Sequence, residues 1–244
     1  MNYSEFDLSN YGGDRYVEEF PGSVWRYLDY LDGSRLILSP NYLDLPEAVQ
    51  LEIMDLLRDN VVHGCGRYID FGGEGYVYPC GAGNSYVLKV VDNPLTPGNK
   101  SPDERLIYTE FLRRTILPNL PRWADIVPNF LSYKDSKGVR YTIMPMVANG
   151  ITIESLRAYW LKQYEWNTSF INERITQLFP GLDNAVCEQI EKQYSTLCNI
   201  IRRVANKEMS RDKVMDDYKY GNVLVTPYSQ PVAGYNYGLS IIDQ

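Results

Sequence analysis

Asp216-Asp217-Tyr218-Lys219-Tyr220-Gly221-Asn222, running directly into the apolar Val223-Leu224-Val225, is the stretch from which the rest of the chain can be read. Within it Asp217, Lys219 and Asn222 stand in the order D-x-K-x-x-N. A carboxylate, an ammonium and a carboxamide are thus gathered on a segment whose Asp, Gly and Asn favour a turn, ahead of a run with the composition of a buried strand. A polar turn before a strand accounts for that composition by itself. The weight therefore falls on what else the chain carries, and in which order.

With 244 residues, 44% of them hydrophobic and 23% charged, the chain can bury a full core as one large domain or as two lobes. A formal net charge of -7 argues against a general nucleic-acid binder and against an anionic membrane surface as the main partner. No apolar run approaches the ~18 residues that span a bilayer, and the opening MNYSEFDLSNYGG lacks the pattern of a signal peptide, so a soluble, cytoplasmic protein is expected. Cys65, Cys80, Cys187 and Cys198 are scattered without a C-x-x-C pair and read as reduced thiols. His63 is the only histidine and reads as structural, which leaves a carboxylate as the candidate general base.

Residues 1–60 carry the aromatic anchors Tyr16, Phe20, Trp25, Tyr27 and Tyr30, which predict a packed extension with a helix around 23–30. A second helix is expected from Leu45-Pro46-Glu47 onward, with Val49, Ile53, Leu56 and Leu57 on one side. From Gly66 the period changes to that of strands. Arg67-Tyr68-Ile69-Asp70-Phe71 leads into Gly72-Gly73-Glu74-Gly75-Tyr76-Val77-Tyr78, and a turn at Gly81-Ala82-Gly83-Asn84 leads into Ser85-Tyr86-Val87-Leu88-Lys89-Val90-Val91. Lys89 lies inside an apolar run, and a buried ammonium wants an anionic partner. A helix opening at Ser101-Pro102-Asp103-Glu104 carries the stripe Ile107, Tyr108, Phe111 and Leu112. Glu104 falls on the inward side of that stripe, although Ser101 with Glu104 also forms a capping box. Glu110, followed by Arg113 and Arg114, reads as solvent-facing. A second hairpin over 126–146 runs out through Met144-Pro145-Met146-Val147; helices are expected over 153–164 and 185–204, and the chain ends on Ile241-Ile242-Asp243-Gln244.

Taken in order, these elements resemble the protein kinases. D-x-K-x-x-N is similar to their catalytic loop H-R-D-L-x-x-x-N; Gly72, Gly75 and Val77 match the later part of the glycine-rich loop G-x-G-x-x-G-x-V; and Val87-Leu88-Lys89 resembles the strand whose lysine holds phosphates. The resemblance implies an α+β, protein kinase-like two-lobed fold. A β-rich N-lobe would span 61–147 and a reduced helical C-lobe 148–244, with 1–60 packed on the core and ATP between the lobes. It implies Asp217 as acceptor of the substrate hydroxyl proton, Lys219 facing the transferred phosphoryl group, and Asn222 with Asp243 as magnesium ligands. Gly72, Gly73, Gly75, Val77, Lys89 and Glu104 would hold ATP, with adenine against Met144, Met146 and Val147; Pro145 has no amide to offer it.

The expected reaction is transfer of the γ-phosphoryl group of Mg-ATP to a hydroxyl, on protein Ser or Thr, in the cytoplasm or, for a translocated effector, in that of a host. Several positions depart from the family. Met215 and Asp216 replace His and Arg, Asp70 stands at the first Gly, and Gln244 follows Asp243 where Phe is usual. No activation segment follows, as in the minimal kinases among bacterial effectors or in a fragment. A pseudokinase acting as an interaction module, an aminoglycoside-type small-molecule kinase and an adenylyl transferase are the alternatives on the same fold.

Overall fold

Residues 11–72, 75–91, 102–208 and 220–242 are described by a computed structural model. Three strands come first, β1 (Tyr11–Phe20), β2 (Ser23–Tyr30) and β3 (Arg35–Leu38), then the one-turn α1 (Pro40–Leu43) and the long α2 (Glu47–His63). A meander of β4 (Asp70–Gly72), β5 (Gly75–Cys80) and β6 (Tyr86–Val91) precedes α3 (Pro102–Thr115). β7 (Ala124–Ile126), β8 (Leu131–Lys134), β9 (Arg140–Pro145) and β10 (Ile151–Thr152) lead to α4 (Ile153–Trp160), α5 (Ser169–Leu178) and α6 (Asn184–Glu208). The hairpin β11 (Val223–Val232) and β12 (Tyr235–Ile241) follows. The architecture is α+β, and two compact units divide it: Met1–Phe111 with Pro128–Met146, and Leu112–Val127 with Val147–Gln244.

The first unit is built on one eight-stranded sheet in the order β1-β2-β3-β8-β9-β6-β5-β4, antiparallel at every pairing. Because side chains alternate along a strand and directly paired residues share a face, its register sorts the residues cleanly. Leu28, Leu36, Tyr133, Tyr141 and Val90 form one cross-sheet row, and with Leu38, Leu131, Ile143 and Leu88 they build a core closed by Ile53 and Leu57 of α2. Proline at the N-cap and Gly64 just past the end bound that helix; Gly64 takes φ +82°, which favours glycine. On the opposite face Trp25, Tyr27 and Ile37 pack against Leu106 and Ile107 of α3.

This arrangement corrects the expectation for 23–30. The segment is an interior strand, β2, second from one edge of the sheet, and not a helix. Both its faces bury large side chains, Trp25 and Tyr27 against α3 and Leu28 and Tyr30 within the α2-side core, so the clean polar alternation that marks a half-exposed strand is missing even though Val24 is exposed. Residues 11–63 extend the sheet from β8 through β3 and supply the helix that closes its larger core. His63 sits exposed in the last turn of α2.

The second unit carries a four-stranded sheet, β10-β11-β12-β7, with β12 and β7 parallel and the other pairs antiparallel. Val223, Val225, Leu239 and Ile241 are fully buried in it, as are Ile190, Leu197 and Ile201 along one side of α6. α4 ends at Trp160, short of the expected 164, and Lys162 two residues on takes a left-handed φ of 59°. Thr152 and Thr168 cap α4 and α5 through their hydroxyls. Among the described residues no helix is long and apolar enough to cross a membrane.

Candidate functional site

Lys89 lies at the centre of β6, paired in register with Val77 of β5 on one side and Thr142 of β9 on the other. All three are half-buried and share the sheet face opposite the α2 core. Val87 and Met144, one pair along, carry that face on as buried apolar surface. The glycine hairpin, the lysine strand and the strand running out to Met146 are therefore immediate neighbours, set side by side by backbone pairing alone.

Gly75 has a structural reason of its own. A Cβ there would run into the carbonyl oxygen of Val90 and come within 3.2 Å of Val91 Cα, so the backbones of β5 and β6 meet where no side chain fits. Gly72 pairs with Gly75 at the mouth of the β4–β5 hairpin, while Gly73 lies outside the described residues.

At the far end of β9 the Met146 amide donates to Ser85 C=O at 2.9 Å, so it is already engaged in the sheet's extension. Among the described residues neither Val147 nor Ala148 donates its amide, whereas the Val147 carbonyl accepts from Gly150 N–H at 3.2 Å. Of the amides that follow Pro145, those of Val147 and Ala148 remain for an adenine.

The side chain of Glu104 lies outside the described residues, and the reading of Glu110 needs correction. Glu110 is 5% exposed and accepts a hydrogen bond from Asn41 Nδ2 of α1. The helix turns outward only at Arg114; Arg113 is half-buried, and its guanidinium donates to the Ile126 carbonyl that ends β7. Two arginines at helical offset thus gave a false solvent signal, because one of them caps a strand.

In the second unit, Asn222 closes a single 3-10 turn, Tyr220–Asn222, and enters β11. Val223 pairs with Ile241, and the Ile242 amide donates to Asn222 C=O at 2.9 Å. The hairpin therefore brings Asn222 beside the residue preceding Asp243. Asp217, Lys219 and Asp243 lie outside the described residues. Among the described residues no group of three or more His, Cys, Asp or Glu gathers as a metal cage. Magnesium asks for less, one or two oxygen ligands completed by water and phosphate, and the Asn222 carboxamide is of that donor class.

Around the turn, Tyr220 lies 4.3 Å beneath the Arg157 guanidinium and 4.7 Å from the Tyr194 ring. Burial, then the charge of Glu191, pushes the Tyr220 hydroxyl above its ordinary pKa, while Arg157 pulls the other way. Nothing in the sequence pointed to Arg157 or Glu191, which as helix residues with mixed neighbours carry no motif, and Tyr194 reads only as part of the apolar side of the 185–204 helix. An open groove of about 680 Å³, lined by Tyr159, Trp160, Tyr164 and Asn184 among others, contains none of the candidate residues. Comparison with protein-family models finds no match, and no curated protein matches the chain.

Proposed function

We propose that the chain is an ATP-dependent phosphotransferase of protein kinase-like, two-lobed fold, moving the γ-phosphoryl group of Mg-ATP to a hydroxyl on a protein Ser or Thr. The observation that carries this reading is the row Val77–Lys89–Thr142, which puts one cation between a glycine hairpin and the strand leading to two amides, Val147 and Ala148, that donate to no backbone acceptor among the described residues. Phosphates need a cation and close backbone amides, and a base needs an apolar shelf and an unengaged amide. The first unit would hold the nucleotide: Gly72, Gly73 and Gly75 let the backbone approach, Lys89 offsets phosphate charge, and Val77 and Met144 offer apolar surface. Adenine would reach past Met146 to the amide of Val147 or Ala148. A carboxylate of α3, Glu104 or the buried Glu110, would orient the Lys89 ammonium.

In the second unit Asp217 would take the proton of the attacking hydroxyl as the acceptor oxygen bonds to phosphorus and the bond to ADP breaks; Lys219 would face the phosphoryl oxygens. Asn222 and Asp243 would offer the oxygens that hold magnesium, which when bound neutralises charge on the phosphates. ATP as donor implies work in a cytoplasm, the chain's own or a host's.

Incubation of the full chain with magnesium and ATP labelled at the γ or the α position tests the reading. Label from γ supports it, and label from α makes the chain an adenylyl transferase. Lys89→Met should remove both incorporation and the Mg-ATP thermal shift while moving the unliganded melting temperature little, since ligand stabilisation follows mass action. A second reading, a pseudokinase serving as an interaction module, is favoured by Gly75, whose lack of a side chain the strand packing explains without any phosphate. No incorporation from either label, with a thermal shift retained, selects it.

A further inference from the structure

In the family the chain resembles, a His-Arg pair precedes the catalytic Asp; here Met215 and Asp216 stand there, so the loop needs support from elsewhere. The described end of the loop is held by two helices. Arg157 of α4 stacks on the Tyr220 ring at 4.3 Å and donates through Nη1 to Glu191 Oε1 of α6 at 2.7 Å. The Tyr220 hydroxyl donates to the other oxygen of the same carboxylate, Oε2, at 3.3 Å. Tyr194, one turn along α6 from Glu191, packs its ring 4.7 Å from the ring of Tyr220. One residue further, a Cβ on Gly221 would lie 2.7 Å from Glu154 Oε2, so the carboxylate of the first turn of α4 rests against the backbone of the 3-10 turn.

These contacts close a triangle in which each member touches the other two. Arg157 and Glu191 remain 38% and 29% exposed, and at such exposure an ion pair adds little to overall stability. Its effect is local. The start of α4 is also tied to the strand that follows the turn, because Thr152, its N-cap, pairs with Leu224 of β11. Asn222 is thereby caught between a clamped tyrosine and a paired strand.

We infer that Arg157, Glu191 and Tyr220 form a positioning clamp that fixes the Tyr220–Asn222 turn and so aims the Asn222 carboxamide. Its consequence for magnesium rests on the phosphotransferase reading; the clamp itself does not. Arg157→Met keeps most of the stem and removes the charge, Tyr220→Ala removes the ring, and Tyr220→Phe keeps the ring and loses only the hydroxyl. In the full chain, amide hydrogen exchange at 221–224 should speed up about tenfold in Arg157→Met and Tyr220→Ala, with Ile190 and Leu197 in mid-α6 unchanged, as local opening requires. Tyr220→Phe should exchange like the parent. The magnesium concentration for half-maximal γ-label transfer should rise about tenfold in the first two variants, with the KM for ATP within about threefold and Tyr220→Phe near the parent.

Unchanged exchange at 221–224, or an equal rise throughout α4 and α6, overturns the clamp. Local exchange with an unaltered magnesium requirement overturns its role in aiming Asn222. If the parent transfers no label, the phosphotransferase reading falls, and the exchange comparison, repeated with and without magnesium ions alone, decides the clamp. If Tyr220→Ala does not fold, Arg157→Met against Tyr220→Phe carries the same comparison.

Discussion

The two units place their candidate residues by different means. In the first, Lys89 stands between Val77 and Thr142 because three strands are paired in a fixed register, and no side-chain contact is needed to put it there. In the second, Asn222 follows a 3-10 turn whose tyrosine is gripped by side chains of α4 and α6. A register is set by the whole sheet and tolerates substitutions along it, since slipping by one residue would turn every side chain to the wrong face. A clamp is set by a few side chains and can be undone singly. The difference predicts that variants disturbing the core or the strand pairing of the first unit act mainly on stability, and those around the turn mainly on local order.

The largest effect should come from taking away what makes the register possible. Residues 11–63 supply three strands and α2, and Ile53 and Leu57 are wholly buried against Leu88, Tyr133 and Ile143. Removing residues 1–63 should abolish cooperative unfolding of the first unit in a melting or denaturant experiment. Ile53→Ala alone should cost about 2–5 kcal/mol, the range for emptying a close-packed core site. A truncated chain that melts like the parent would show that β4–β6 with β8 and β9 keep their register unaided.

This contribution was only partly legible in the sequence. The α2 stripe of Val49, Ile53, Leu56 and Leu57 is periodic and the helix lies where it points. The meander carrying Lys89 was legible too, because Gly72, Gly75 and the turn at 81–84 punctuate it. β2 was not, since a strand covered on both faces loses its alternation and an aromatic-rich run of that length fits either period. α5 and the short β7 and β10 were missed as well; the two strands have three and two residues, too few for any period to show. Glu110 was misread because it is buried and accepts a hydrogen bond from Asn41, a partner far off in sequence. The contacts of Tyr220 join α4, α6 and a turn from three distant stretches, which no local pattern announces.

The next effect down tests the register at one point. Gly75→Ala forces a Cβ against the Val90 carbonyl, and a backbone cannot swing aside as a side-chain end can. Overpacking of this kind costs about 1–3 kcal/mol, read as a lower midpoint in urea. If the β5–β6 pairing is what the glycine serves, Gly72→Ala, at the hairpin mouth, should cost less. Equal costs would tie both glycines to the hairpin itself and weaken the argument from close approach.

Alkaline pH probes both units at once, because each buries one thiol. Burial first, then Cys65, pushes Cys80 of the first unit up to about 11; burial, then Asp183 and Glu191, pushes Cys187 of the second up to about 11. A thiol raised in the folded state protects the fold below its unfolded value of 9.0, and that protection disappears as pH rises towards 11. The melting temperature should therefore fall across pH 9–11, by about 2–4 °C for each kcal/mol lost in a chain of this size. Cys80→Ala and Cys187→Ala should each flatten part of the slope. A slope left intact by both would assign the alkaline loss to other groups that burial raises, the thiols of Cys65 and Cys198 and the hydroxyls of Tyr42 and Tyr194 among them.

The smallest effect is the sharpest comparison, because the two units contain nearly matched ion pairs. Arg26 and Asp14 meet at 2.8 Å on the β1–β2 hairpin, 32% and 38% exposed; Arg157 and Glu191 meet at 2.7 Å, 38% and 29% exposed. Closest approach and exposure are alike, and the first pair adds a second bond, from Arg26 Nε to Asp14 Oδ1 at 3.2 Å, so electrostatics alone predicts at least as large an effect for it. The surroundings differ. Asp14 and Arg26 lie diagonally across strands whose ladder runs from Tyr11 to Phe20, so removing the pair leaves the register in place. Asp14→Asn should change stability by less than about 1 kcal/mol at neutral pH and by still less in high salt, as exposed pairs do. The hydrogen bond from Arg26 holds the Asp14 carboxyl below its ordinary value of 3.8, so whatever the pair contributes is present above that pH and is lost as pH falls beneath it. Amide exchange along β1 should stay as in the parent, whereas Arg157→Met should loosen 221–224. Should Asp14→Asn open β1 as readily, register is not what secures the first unit's strands, and the contrast between the units fails where it ought to be clearest.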